Sequence, residues 1–101
     1  VRKYNFVNEG LELLDASVKS HPENLEVRVL RGSLEWHLPS LFNRRDQAKI
    51  DIQFIKEKLL GSSNPDLVPL LIKYATTFLL DMGELSNEEK VRLQTMKHQA
   101  S

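Results

Sequence analysis

The chain has 101 residues, of which 41% are hydrophobic and 28% are charged, a composition typical of one globular domain. Lysine and arginine together number 14, as do aspartate and glutamate, so no net charge attracts the chain to nucleic acid or to an anionic membrane. The absence of cysteine excludes disulfides and thiol chemistry and fits a reducing cytoplasm. No apolar run is long enough for a membrane span. We therefore expect residues 1–101 to form one cytoplasmic domain without a membrane partner.

Helix start and stop signals divide the chain into segments. A proline after His21 and another after Leu38 end the first two helices, because the residue before proline disfavours the helical region. Asn24 is a suitable N-terminal cap for the second helix, and the stretch from Ser86 to Glu89 forms a capping box. These signals, with Gly61 and Gly83 as left-handed C-terminal caps, predict five helices at about 4–20, 25–38, 45–60, 66–82 and 87–98.

The fourth helix begins near a proline. Pro69 lies either in the first turn of a helix that starts at Asp66 or at a kink within it. This segment is the most apolar of the five, and we expect it to form the centre of the core. No stretch alternates apolar and polar residues for long enough to predict a strand. The connections between the predicted helices are short, which favours antiparallel neighbours. The predicted fold is therefore all-α, built from stacked antiparallel helical hairpins.

The second helix has apolar residues on two sides. One wedge contains Leu25, Val29 and Trp36 beside Gly32, and the other contains residues 27, 30, 34 and 38, all of them valine or leucine. An outer helix of a bundle needs only one apolar stripe, so this pattern predicts a helix buried on both flanks. The first helix carries a single tight stripe from Val7 to Val18.

A strip of charged residues separates the two apolar wedges. It contains Arg28, Arg31 and Glu35. The strip is either a groove that binds a carboxylate of a partner peptide, or a solvated surface on which Arg31 and Glu35 pair at i,i+4. We predict Arg28, Arg31 and Glu35 as partner-binding residues, together with Arg45 and Lys49.

Basic residues are concentrated in the third helix. Arg45, Lys49 and Lys56 border its apolar stripe, which suggests either a nucleic-acid surface or long cationic side chains covering an apolar seam. Interspersed acidic residues and the absence of alternating aromatics favour the seam. His37 has no second histidine at i+4, so no metal site is predicted. No catalytic or cofactor motif is present, so we expect neither an enzyme nor a cofactor.

Two segments together resemble a tetratricopeptide repeat. The stretch from Gly10 to Val18, followed by His21-Pro22-Glu23-Asn24, is similar to the second helix of one repeat and its terminal proline. The helix from Leu25 then resembles the first helix of the next repeat, with Gly32 at the small position. Arg31 and Glu35 depart from the family pattern, which has an apolar residue and an aromatic there. The resemblance implies a scaffold whose inner helices line a groove for a protein or peptide.

We therefore expect a non-catalytic module of about five helices that binds a protein or a peptide. An alternative is homo-oligomerisation through apolar residues near the start (Tyr4, Phe6, Val7) or through Leu93 and Met96. Nucleic-acid binding by the third helix is the least favoured binding function. Because the sequence begins at Val1 and apolar residues follow at once, we also expect further helices upstream in a longer protein.

Overall fold

The computed structural model describes residues 2–61, 68–82 and 84–100, with side chains from Asn5 onward. These residues form five α-helices and one 3-10 turn, and no strand occurs among them. The elements are α1 (Arg2–Ser20), α2 (Leu25–His37), a 3-10 turn (Ser40–Phe42), α3 (Arg45–Leu60), α4 (Pro69–Met82) and α5 (Asn87–Gln99). The all-α prediction is confirmed, whereas the tetratricopeptide-like stacking of hairpins stays a prediction.

The helix starts follow the predicted capping chemistry. The Asn24 side chain accepts a hydrogen bond from the Val27 N–H at 3.1 Å, which satisfies one of the unpaired donors in the first turn of α2. At α5, the Ser86 hydroxyl accepts from the Glu89 N–H at 3.1 Å, and the Ser86 N–H donates to the Glu89 carboxylate at 3.0 Å. Both caps were predicted from sequence and both are confirmed.

The end of α3 and the start of α4 are also determined by single residues at these positions. Gly61 follows the last residue of α3 without a left-handed φ, which corrects the predicted cap type. A Cβ at this position would lie 2.7 Å from the Glu57 carbonyl oxygen, so only glycine fits. Pro69 is the first residue of α4, where its missing N–H costs nothing. The predicted start at Asp66 and the predicted cap at Gly83 lie outside the described residues.

The chain divides into two compact units, with the boundary inside α3. Unit 1 spans Val1–Asp51, and unit 2 spans Ile52–Ser101. In unit 1, α1 and α2 pack as a helical hairpin, followed by the 3-10 turn and the first two turns of α3. In unit 2, α4 and α5 pack as a second hairpin, and the last turns of α3 precede it. The expectation of one domain over residues 1–101 stays a prediction.

Each unit has its own set of buried apolar side chains. In unit 1 these are Leu11, Val18, Leu25, Val29 and Ala48, and in unit 2 they are Ile55, Leu59, Ala75, Phe78, Leu79 and Leu93. The single stripe predicted for α1 therefore faces inward. α4 contributes Ala75, Phe78 and Leu79 to the core of unit 2, but Leu70 and Tyr74 are exposed, so only part of its apolar surface is buried.

The prediction that α2 is buried on both flanks is wrong. Its first wedge is inside, with Leu25 and Val29 buried, but Leu30 is 47% exposed and Leu34 is 36% exposed. The buried arc instead extends from the first wedge onto Arg31 and Glu35. The charged strip, rather than the second apolar wedge, therefore lies on the buried side of α2.

Candidate functional site

Six ionisable side chains from separate segments of unit 1 meet beside the hairpin. We call them the ion cluster: Asp15 of α1, Arg28, Arg31 and Glu35 of α2, Arg44 just before α3, and Asp51 within α3. The cluster has three arginines and three carboxyl groups. It connects α1, α2 and the start of α3 through side chains that are far apart in sequence.

Asp51 lies at the buried centre of the cluster, with no exposed surface. Arg31 binds it through two parallel hydrogen bonds, from Nε to Oδ2 at 2.8 Å and from Nη2 to Oδ1 at 2.7 Å. Arg28 Nη1 donates a third to Oδ1 at 3.0 Å. Hydrogen bonds between ionised groups are about twice as strong as those between neutral groups. The bidentate geometry also fixes the orientation of the Arg31 guanidinium relative to the Asp51 carboxylate. Asp51 thus ties α2 to α3.

Asp15 lies at the more exposed edge of the cluster. Arg44 binds its two carboxylate oxygens at 3.1 and 2.8 Å, and Arg31 Nη1 donates to Oδ1 at 3.1 Å. The hydrogen bond from Arg44 is the main reason that the pKa of Asp15 is lowered, although partial burial opposes this. Arg31 and Arg44 therefore each bridge Asp15 to a buried carboxyl group.

Glu35 is the incompletely paired member of the cluster. Its Oε2 accepts a hydrogen bond from Arg44 Nη1 at 3.3 Å, but Oε1 is 3.8 Å from Arg31 Nε. Within the described part of the chain, this buried Oε1 has no hydrogen-bond partner. Arg31 Nε lies 2.8 Å from Asp51 Oδ2 and 3.8 Å from Glu35 Oε1, so the two buried carboxyl groups are neighbours.

The pKa values of the two buried carboxyl groups are shifted in opposite directions. Burial raises the pKa of Glu35 to about 8, and the Asp51 carboxylate adds to this effect, while Arg31 and Arg44 oppose it. Burial also acts to raise the pKa of Asp51, but hydrogen bonds from Arg31 and Glu35 outweigh it and the pKa is lowered. Asp51 is therefore the ionised partner and Glu35 the protonated one at neutral pH.

The structure brings Arg28, Arg31 and Glu35 together, but in the interior. Arg31 is 6% and Glu35 is 1% exposed, so these two side chains form neither an open groove nor a solvated surface strip. This corrects their predicted position: pairing with Asp51 compensates the cost of burying them. The predicted i,i+4 pair of Arg31 and Glu35 is present only as a contact of 3.8 Å.

The other two predicted binding residues remain at the surface. Arg45 is exposed, and its guanidinium lies 4.2 Å from the centroid of the Trp36 ring, a cation–π arrangement. Lys49 is exposed one helical turn further along α3. Whether these two bind a partner stays a prediction.

Sequence analysis missed Asp15, Arg44 and Asp51. For Asp51 a signal existed, since it lies three residues after Ala48 and four before Ile55, on the apolar stripe of α3 itself. A charged residue on a buried stripe requires a partner of opposite charge. For Asp15 and Arg44 no such signal exists, because both lie at half-exposed positions.

The outer side of α2 presents an apolar surface. We call Leu30 and Leu34 the leucine face; they are one helical turn apart, and half-buried Val27 lies one turn before them on the same helix. At about 100° per residue, this face lies opposite the buried wedge of Leu25 and Val29, whereas Arg31 and Glu35 lie on the flank between the two. Exposed apolar residues that are adjacent to one another are a mark of interaction surfaces.

Unit 2 contains an open polar cleft between the end of α3 and the start of α5. Its cationic groups have partners: Lys56 Nζ lies 3.2 Å from Glu89, and Arg92 Nη2 donates to the Leu60 carbonyl at 2.6 Å. The Ser86 N–H and Lys56 together lower the pKa of Glu89. Among the described residues no group of three or more acidic or histidine side chains could hold a metal ion.

Known proteins offer no guide to this chain. No family model, curated protein or solved structure matches it. Over the described ranges, no helix is both long and apolar enough to cross a membrane. The function therefore has to be inferred from the geometry of each unit.

Proposed function

We propose that this chain is a non-catalytic, cytoplasmic protein-binding module of tetratricopeptide-like helical hairpins. Its partner is a protein or peptide with an amphipathic helix, whose apolar stripe packs on the leucine face of α2. No cofactor takes part. The observation that carries the proposal is the exposure of Leu30 and Leu34 on a helix whose charged flank is already fixed by buried ion pairs.

The ion cluster supports a structural role for the charged residues of α2. Each guanidinium hydrogen bond of Arg31 is directed to Asp51 or Asp15. A catalytic acid or a substrate-binding arginine needs an accessible atom, and the Arg31 and Glu35 side chains are enclosed. The cluster instead holds α2 in a fixed orientation, which reduces the entropy lost on binding.

The spacing of the leucine face supports a helical partner. Leu30 and Leu34 are separated by four residues, the spacing by which ridges of one helix pack into grooves of another. Full burial of a leucine side chain contributes about 1.5–3 kcal/mol. Burying the exposed fractions of the two leucines, 47% and 36%, therefore provides roughly 1–2.5 kcal/mol of binding free energy. The resemblance to a tetratricopeptide repeat is supported by the α1–α2 hairpin and by the burial of Gly32.

Site-specific photo-crosslinking in cells, followed by binding measurements, tests the proposal. A crosslinker replaces Leu30 in one variant and Glu26 in the control, which is exposed on the same helix. The cross-linked protein is identified, purified and titrated against wild type, the Leu30→Glu/Leu34→Glu variant and Glu26→Gln. We expect at least a tenfold weaker affinity for the leucine variant, an unchanged affinity for Glu26→Gln, and the same helical circular dichroism for all three.

An undiminished affinity of the leucine variant would refute the proposal. If the cross-linked partner is a second copy of this chain, the module is a homo-oligomer, and Leu30→Glu/Leu34→Glu would then reduce the sedimentation mass to that of a monomer. Exposed Phe6, which is 74% accessible on α1, favours self-association through the first helix, whereas Leu93, predicted for the other contact, is fully buried. Alanine variants of Arg45 and Lys49, titrated in the same assay, test their predicted contribution to the contact.

A further inference from the structure

We propose that one proton shared by Glu35 and Asp51 acts as a pH-sensitive latch between α2 and the start of α3, and that its release at alkaline pH loosens unit 1. This inference does not depend on the proposed partner, because it concerns the internal stability of unit 1. The latch would make the hairpin of α1 and α2 less firmly held as the pH rises above neutrality.

The geometry requires a proton at this position. Glu35 Oε1 is buried, lies beyond hydrogen-bonding distance of Arg31 Nε at 3.8 Å, and has no other donor among the described side chains. A buried carboxylate oxygen without a donor is strongly unfavourable. A protonated Glu35 instead donates its O–H to the Asp51 carboxylate, which has already collected three hydrogen bonds from Arg28 and Arg31. The single proton converts a repulsive pair of carboxylates into a hydrogen bond.

The charges that face Glu35 come from every segment of the cluster. Arg31 lies on its own helix, Asp51 on α3, and Arg44 precedes α3; Asp15 of α1 is reached through Arg31 and Arg44. The two arginines favour the ionised form of Glu35. However, Arg31 is already bound to Asp51, and Arg44 is already bound to Asp15. Their charge is therefore largely compensated. Burial and the Asp51 carboxylate outweigh them, which is why the pKa of Glu35 is raised to about 8.

The direction of the pH dependence follows from the sign of this shift. The pKa of Glu35 is higher in the folded chain than the ordinary value of 4.5, so the folded state binds the proton more tightly than the unfolded state does. The stabilisation is fully present below pH 4.5 and is lost as the pH rises through about 8. At higher pH the proton passes to water, and two buried carboxylates then face each other.

Unfolding measured at several pH values tests the latch. Trp36, the single tryptophan of the chain, lies in unit 1 and reports urea unfolding of this unit by its fluorescence. Between pH 6 and pH 9, the unfolding equilibrium constant of the wild type is expected to rise on the order of 100-fold more than that of Glu35→Gln. The glutamine variant keeps a side-chain donor without a titrating proton. Glu26→Gln, an exposed glutamate change on the same helix, should follow the wild type.

A direct measurement on the wild type covers the case in which Glu35→Gln fails to fold. The carboxyl carbon of Glu35, observed by nuclear magnetic resonance, should titrate with a midpoint near pH 8, while the Asp51 carbon remains ionised at neutral pH. A midpoint for Glu35 below pH 5 would overturn the latch. So would equal pH dependence of unfolding in the wild type and Glu35→Gln.

Discussion

Removing the charge of Asp51 should destabilise unit 1 far more than removing any exposed carboxylate of the same helix. The Asp51→Asn variant keeps the size of the side chain but replaces one acceptor oxygen with an NH₂ group that faces arginine donors. Three hydrogen bonds, of 2.7, 2.8 and 3.0 Å, are lost or weakened, and the Arg31 guanidinium stays buried without its main counter-charge. Breaking one side of a buried ion pair costs about 3–5 kcal/mol. This equals a large part of the stability of a small domain.

Urea unfolding followed by Trp36 fluorescence at pH 6 provides the assay, since this probe lies in unit 1. Asp46→Asn is the matched control: Asp46 is exposed in the first turn of α3, where its interaction with the helix dipole is worth about 0.3–1 kcal/mol. We expect Asp51→Asn to unfold at a much lower urea concentration than Asp46→Asn. A loss below about 1 kcal/mol for Asp51→Asn would show that the ion cluster does not hold α2 to α3.

Two further predictions concern unit 2. Ser86→Ala removes the hydroxyl that accepts the Glu89 N–H and should lower the free energy of unfolding by about 1 kcal/mol. Ser20→Ala, at an exposed helix end, is the control and should change this free energy little. Thermal unfolding followed by circular dichroism compares the two variants. Leu93→Ala creates a cavity at the one buried residue of α5 and should cost about 2–5 kcal/mol. Val91→Ala, a change at an exposed position two residues away, should cost under about 0.5 kcal/mol, and similar values for the two variants would contradict the assigned packing of α5.

The helix boundaries were predictable because they depend on neighbouring residues. Asn24 and Ser86 each accept an N–H three residues later, and Pro22 and Pro39 follow helix ends, so local chemistry determines these sites. The kind of helix end at Gly61 was less predictable. Glycine is needed there because the Glu57 carbonyl approaches closely, which the sequence does not reveal.

The environment of α2 was not predictable in the same way. Its pattern of two apolar wedges was interpreted as burial on both sides, and the charged strip as a surface. Arg31 and Glu35 are instead buried because Asp51, 20 and 16 residues away in sequence, supplies a counter-charge and a proton acceptor. Amphipathic patterns describe single helices, whereas burial of a charge depends on partners from other segments. Leu30 and Leu34 are consequently exposed.

The coupling free energy between Arg31 and Asp51 tests the central claim most directly, namely that the charged side of α2 belongs to the interior of unit 1. A double-mutant cycle with Arg31→Met, Asp51→Leu and the double variant, measured by urea unfolding, isolates this interaction. We expect each single variant to be destabilised by about 3–5 kcal/mol and the double variant to recover most of that loss. Additive losses, with a coupling near zero, would contradict the assignment of these residues to the interior of unit 1.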